Sequence, residues 1–225
     1  MKVIAHIHSD FPTKFGIPRQ SGIVEELRAT IVFEPEYRIP EAFRGLEEFS
    51  HIWLIWEFSE AVRDTWSPTV RPPRLGGNTR KGVFATRSPF RPNAIGLSSV
   101  KLEKVELDAK LGPVLHISGA DLMDGTPIFD IKPYIPYTDS HPEAAAGFAP
   151  IASEHPLEVI IPDPLLTLIP ESQRESIKGI LANDPRPQYH HDPGRVYVLP
   201  YAGLEISFKV AEDSVEVTAV TSIIG

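Results

Sequence analysis

The chain has 225 residues, no cysteine, 42% apolar residues and a formal charge of −8. Its length suffices for a proper core, its lack of thiols excludes disulfides and thiolate metal or nucleophile chemistry, and a pI near 5.5 excludes broad coating of nucleic acid. Residues 1–8 alternate like a strand rather than a signal peptide, and no apolar run approaches the roughly 20 residues of a membrane helix, so we expect a soluble, cytoplasmic protein with no membrane partner.

Proline, at 23 residues, punctuates much of the chain. Runs of β-branched and aromatic residues bounded by Gly, Pro, Asn or Asp predict short strands at 3–8, 22–33, 51–58, 82–86, 97–107 and 114–118. A short helix is expected between the second and third, ending near Gly45. Many strands with few helical crossovers predict a mainly β fold, an antiparallel barrel or sandwich. The stretch 140–156, rich in Ala, Pro and Ser, reads as a linker. Beyond it, a strand at 157–161, a helix at 171–181 with Ile177, Ile180 and Leu181 on one side, and strands at 195–199, 203–210 and 214–223 predict a small α+β unit. The expected division is a barrel domain at 1–142, a linker at 143–156 and a small domain at 157–225. A unit that small is expected to lean on the first domain or on a second subunit.

Charge is unevenly spread. Residues 65–101 contain Arg71, Arg74, Arg80, Lys81, Arg87, Arg91 and Lys101 and no Asp or Glu. The segment is full of Pro, Gly and Asn and has no helical period, so it predicts a special loop path rather than a solvated helix face. A cationic strip on an acidic protein admits a polyanion at one face and repels it elsewhere. Three other segments stand out. Residues 11–22 deliver Arg19 and Gln20 between two strands, a guanidinium fork and an amide suited to carboxylate, phosphate, base or ribose. In 121–142, Asp124-Gly125 predicts a tight turn leading through Thr126-Pro127 into an extended segment. There Asp130, Lys132 and Tyr134 share one face, and Pro133 and Pro136 are expected to keep the segment out of a regular ladder. In 184–191, prolines stiffen a loop that presents Arg186 and Tyr189. The histidines predict no metal: His6 and His8 share a strand face without a nearby third ligand, and adjacent His190 and His191 diverge. The signatures of phosphate loops, dinucleotide folds, serine hydrolases and zinc proteases are all missing.

Taken in order, "KFGIPRQSG", "FRGLEEFSHIWLIWEF", "WSPTVRPPRLGGNTRKGVFATRSPFRPNAIGLS", "DLMDGTPIFDIKPYIPY" and "LANDPRPQY" resemble the TsaA-like proteins. These are S-adenosylmethionine-dependent methyltransferases of threonylcarbamoyladenosine at position 37 of tRNA. The resemblance spans roughly residues 14–189. It implies a β-barrel methyltransferase that methylates the adenine N6, with a cofactor pocket completed at a homodimer interface. Carried over residue by residue, it implies cofactor contacts by Pro18, Arg19, Gln20, Ser59, Glu60, Arg87, Leu97, Asp124, Gly125, Thr126 and Pro127. At Ser59 and Glu60 a backbone contact is expected, because residue type varies there. Ala94 stands where the family often has Pro. On this reading Arg71, Arg74, Arg80, Lys81 and Arg91 would meet phosphates of the anticodon loop, and Arg186 and Tyr189 would approach from the small domain. Asp130 and Tyr134 are hypothetical proton acceptors, and Lys132 a partner for the threonylcarbamoyl carboxylate. Two alternatives remain: a methyltransferase of small molecules, and a noncatalytic RNA-binding module.

Overall fold

The computed structural model describes residues 1–149, 156–186, 192 and 194–223. Strand β1 (Ala5–Ser9) turns Ala5 and Ile7 inward and His6 and His8 outward, the period-2 pattern of a half-buried strand. It is followed by β2 (Arg28–Phe33), β3 (His51–Glu57), the two-residue β4 (Thr69–Val70) and β5 (Lys81–Gly82), the long β6 (Ile95–Asp108), β7 (Gly112–Ser118) and β8 (Pro127–Pro133). Six of them close an antiparallel barrel in the order β1-β2-β7-β6-β3-β8. Ile7, Ile31, Ile52, Leu54, Leu115, Ile117 and Ile128 fill its interior, so it is a packed core and not a ligand channel.

Strands β1, β3 and β7 end, and β2, β6 and β8 begin, at the same end of the barrel. Three loops, at 10–27, 58–94 and 119–126, therefore emerge together. This antiparallel closure positions the candidate site.

Several expected elements differ. The strand expected at 22–33 forms only from Arg28, because Gly22, at φ +77°, opens a run of turns. No α-helix forms between β2 and β3; Pro35, Pro40 and a left-handed Gly45 break the chain into three 3-10 turns. The strand expected at 82–86 is reduced to Lys81–Gly82, after which Val83–Ala85 turn. The segment expected to stay out of a ladder is β8 itself, and its residues through Pro133 pair with β3, with one irregularity beside Trp56. Pro133 falls at the strand's last position, where a missing N–H costs little.

After β8 come a one-turn helix α1 (Pro136–Asp139), β9 (Glu158–Ile160), α2 (Asp163–Leu166), α3 (Glu171–Ala182), β10 (Tyr197–Tyr201), β11 (Leu204–Val210) and β12 (Ser214–Ser222). The small sheet runs β10-β11-β12-β9, with β9 parallel to β12. Helix α3 buries Ile177, Ile180 and Leu181 against it. That core also contains Phe11, Val24 and Leu27, which belong to the loop between β1 and β2. The two sequence halves thus share one hydrophobic cluster. No helix among the described residues is long and apolar enough to cross a membrane.

Candidate functional site

The loop at 10–27 carries Pro18, Arg19 and Gln20, and its foundation lies in the small domain. Phe11 meets Tyr201 edge to face at 4.9 Å, the Ala202 N–H donates to the Asp10 carbonyl at 3.0 Å, and the Ser176 hydroxyl donates to the Glu26 carbonyl at 3.0 Å. Gly16, at φ +89°, lies so close to Leu199 that a Cβ would sit 2.2 Å from its Cδ1. Burial raises the Asp10 carboxyl, opposed by hydrogen bonds from Gln173 and Tyr201, and the nearby Asp124 pushes it further up.

The second loop, 58–94, is closed at its neck by the Phe58 N–H donating to the Ala94 carbonyl at 2.8 Å. Ser59 and Glu60 lie on an exposed 3-10 turn at the start of this excursion. Beyond them β4 and β5 form a small ribbon, which Arg80 braces by donating to the Thr69 hydroxyl at 2.8 Å. Arg87 leaves the excursion and donates to the Gln20 side-chain carbonyl, joining the first loop to the second.

The third loop, 119–126, turns at Gly125, whose φ of +74° favours glycine. Asp124 is exposed; it accepts from the Ser9 N–H at 3.2 Å and lies 3.4 Å from His8 Nδ1. Thr126 is buried, and its hydroxyl donates to the Met123 carbonyl at 2.6 Å, so its side chain shapes the turn. Pro127 opens β8 beside it. Leu97 lies near the start of β6, 52% exposed, an apolar surface beside these loops. The structure thus gathers Pro18, Arg19, Gln20, Ser59, Glu60, Arg87, Leu97, Asp124, Gly125, Thr126 and Pro127 at one barrel end.

The basic strip occupies the same end. Arg71 and Arg80 are exposed, Lys81 lies over the Phe148 ring at 5.6 Å, and Arg91 is half-buried, donating to the Thr86 carbonyl at 3.2 Å. The Arg74 side chain and Tyr189 lie outside the described residues. Arg186 is drawn inward to Asp184 at 2.9 Å, a two-pronged pair that spends much of its fork within the small domain.

Asp130, Lys132 and Tyr134 share the outer wall of the barrel. Asp130 and Leu97 flank Ile55 in one cross-strand row, about 10 Å apart by strand spacing, while Lys132 and Tyr134 step away from the loops. Lys132 pairs with Asp130 at 3.0 Å, and the Tyr134 ring lies 5.5 Å from that of Trp53.

Sequence reasoning missed two features. Trp66 and Phe84, both exposed, face each other at 6.0 Å on the excursion, and Arg63 lies 4.0 Å over Phe90. The available signal was three large aromatics in a breaker-rich loop, which has no sheet face to bury them. The second feature is Asp121, half-buried where the loops meet. Its carboxylate accepts from Ser98 Oγ at 2.6 Å, and Ser98 Oγ accepts from the Trp56 indole at 3.0 Å. Asp121 opens the motif "DLMDGTPIFDIKPYIPY", but sequence reasoning gave it no role of its own. Among the described residues, no group of three or more His, Asp or Glu could hold a metal.

Residues 6–140 match the model of the tRNA-methyltransferase O N-terminal domain and residues 155–223 that of the TrmO C-terminal domain. The chain is 40% identical to a tRNA (adenine(37)-N6)-methyltransferase of Escherichia coli K12, over 96% of this chain and 95% of that protein. It is 42% identical to a putative S-adenosylmethionine-dependent methyltransferase RcsF of Pseudomonas aeruginosa, over 86% and 85%. A crystal structure of TrmO from P. aeruginosa superposes with a TM-score of 0.78 at 35% identity, covering 99% of this chain and 97% of that one. With both domain models matched and the barrel shared, the chain belongs to the tRNA-methyltransferase O family.

Proposed function

We infer that this protein is an S-adenosylmethionine-dependent tRNA (adenine) N6-methyltransferase acting at position 37. The observation that carries this reading is the convergence of three loops, with Arg19, Arg87, Asp124 and the apolar Leu97, at one barrel end next to the basic strip. That donor set suits a ligand with a carboxylate, a ribose diol and a purine: cations for the carboxylate, Asp124 for hydroxyl or amino donors, and Leu97 for the flat ring. Bound there, S-adenosylmethionine supplies an electrophilic methyl group on a sulfonium. The chain's part is chiefly alignment of amine, methyl carbon and sulfur in line with water excluded, an effect worth several kcal/mol. As the N–C bond forms and the C–S bond breaks, the amine sheds a proton, so no strong base is obligatory.

We assign the acceptor as threonylcarbamoyladenosine in an anticodon loop, with Arg71, Arg74, Arg80, Lys81 and Arg91 on phosphates and Arg186 and Tyr189 as contacts from the small domain. Trp66 and Phe84 suit stacking on splayed bases. The enzyme acts in the cytoplasm as a homodimer. Exposed Val62, beside the candidate contacts Ser59 and Glu60, supports closure by a second copy. Asp130 is level with Leu97, whereas Lys132 and Tyr134 reach the acceptor only if the wall of one copy faces the loops of another. Mixing Arg87→Ala and Lys132→Ala proteins tests this: if each is inactive alone, recovery of activity supports the shared site and a mixture as dead as its parents rejects it, whereas a Lys132→Ala protein active by itself removes Lys132 from the chemistry.

The function is tested by transfer of labelled methyl to two tRNA pools, one bearing and one lacking threonylcarbamoyladenosine. Label in the modified pool alone is the expected result. Equal label in both would reject the acceptor, and transfer to neither despite cofactor binding would move the search to small molecules.

A further inference from the structure

Every second residue of the segment in which β1 leaves the barrel holds the third loop. The Gly125 N–H donates to the Ile7 carbonyl at 2.8 Å and the Ile7 N–H to the Thr126 carbonyl at 3.1 Å, ordinary rungs of an antiparallel ladder. Two residues past Ser9, the Phe11 carbonyl accepts from the Asp124 N–H at 2.9 Å. At Ser9, between them, side chains replace the backbone. Its N–H donates to Asp124 Oδ1 at 3.2 Å, and its hydroxyl donates to the Leu122 carbonyl at 2.9 Å while accepting from the Phe11 N–H at 3.4 Å. His8 Nδ1 lies 3.4 Å from the same Oδ1. Both contacts from β1 thus fall on one carboxylate oxygen, and among the described residues Oδ2 has no hydrogen-bond or ion-pair partner.

We propose that Ser9 is a positioning residue: its hydroxyl draws the third loop onto the end of β1, so that the Asp124 carboxylate is held by Oδ1 and presents Oδ2 to the hydroxyl or amino donors of the methyl donor. This rests on the cofactor reading above. Closing the loop does not need the arrangement, because the bonds at Ile7 and Phe11 already fasten Gly125 and Asp124 by their backbone. What Ser9 adds is direction. An exposed carboxylate on a turn is free to rotate, and ordering it when a ligand arrives costs affinity. Gripped beforehand through one oxygen, Asp124 meets the ligand with the other already aimed.

The test is calorimetric binding of S-adenosylhomocysteine, which needs no turnover. Ser9→Thr and Ser9→Val are alike in size and differ by the hydroxyl, so the Thr variant should bind about fivefold more tightly than the Val variant. Ser9→Ala, which adds no bulk and keeps the test open if the larger variants do not fold, should bind about fivefold more weakly than the wild type. That loss should vanish on the background of Asp124→Ala, because Ser9 acts through this carboxylate, and persist in full on Arg87→Gln, a side chain of another loop. Equal affinities in the Thr and Val variants, an Ala variant that binds like the wild type, or a loss that persists without Asp124 would overturn the proposal and leave Ser9 a structural rung. A wild type that binds no S-adenosyl ligand would instead bring down the cofactor reading and this inference with it.

Discussion

The loop at 10–27 and the excursion at 58–94 leave the same barrel end, yet they are held by opposite means. The first is rooted in the small-domain core through Phe11, Val24 and Leu27, all nearly inaccessible. The second is held by its neck hydrogen bond, the Arg87 tie to Gln20, a two-residue ribbon and local turns; it buries Val83 but exposes Val62, Trp66, Phe84 and Phe90. Regions with few buried apolar contacts open at low free energy, so one jaw of the site is fixed and the other pliable. A fixed jaw suits a small ligand of constant shape, whereas a pliable cationic jaw suits an RNA loop that must be admitted and released. The small domain thereby serves the fixed jaw as its foundation.

Breaking the fixed jaw should have the largest effect. Leu199→Ala empties a fully buried position against which the first loop packs, and should cost about 2–5 kcal/mol in urea unfolding. It should also weaken S-adenosylhomocysteine binding. Intact affinity in the folded fraction would show that the loop keeps its shape without its foundation. Gly16→Ala acts from the loop side, adding strain at positive φ and a Cβ inside Leu199. It should cost about 1–3 kcal/mol, read as a lowered melting temperature. The matched change in the pliable jaw, Val62→Ala, should stay within about 0.5 kcal/mol.

Charge reversal on the pliable jaw should separate the two regions by function. Arg71→Glu with Arg80→Glu should lower tRNA affinity at least tenfold and make log affinity less steep in log salt by about one per lost phosphate contact, while leaving cofactor affinity unchanged. A salt slope equal to wild type would remove both arginines from the RNA surface.

A small effect is expected on the far wall. Hydrogen bonds from Ser118 at 2.7 Å, Arg28 at 2.5 Å and Lys101 at 3.1 Å lower the Glu103 carboxyl to about 2 from 4.5. A carboxyl lowered on folding adds stability above its unfolded value, which is lost as pH falls from 4.5 towards 2. Solvent screening keeps this below about 1 kcal/mol. Glu103→Gln should therefore flatten acid unfolding slightly in that window and leave cofactor and tRNA binding untouched; a loss of binding would extend the site around the barrel.

The strands were legible in sequence because alternation needs no partner to be seen: Ile52, Leu54 and Trp56 face the core at every second position of β3, as the pattern requires. Helix α3 was legible for the same reason at its own period. The 3-10 turns between β2 and β3 were less so, because Glu, Ala, Phe and Leu suggest a helix while Pro35, Pro40 and Gly45 forbid a long one. The β8 ladder was misjudged because Pro133 was weighed without knowing that it ends the strand. Of the candidate site, the residues carried by the family motifs were legible. Asp121 stands in one of those motifs, yet its partner was not legible, since nothing in the sequence around it tells that a serine from β6 will meet it.

By itself, the sequence determined which residues alternate into strands, where glycine and proline turn the chain, and that its positive charge is gathered between 65 and 101. These are local properties, set by side-chain period, backbone freedom and composition. Only the tertiary structure decided that three loops share one barrel end, that Arg186 turns inward, and that residues 11–27 take their support from a core more than 140 residues away. Those outcomes depend on how an antiparallel barrel closes and on which surfaces must bury each other, and no single segment contains that information.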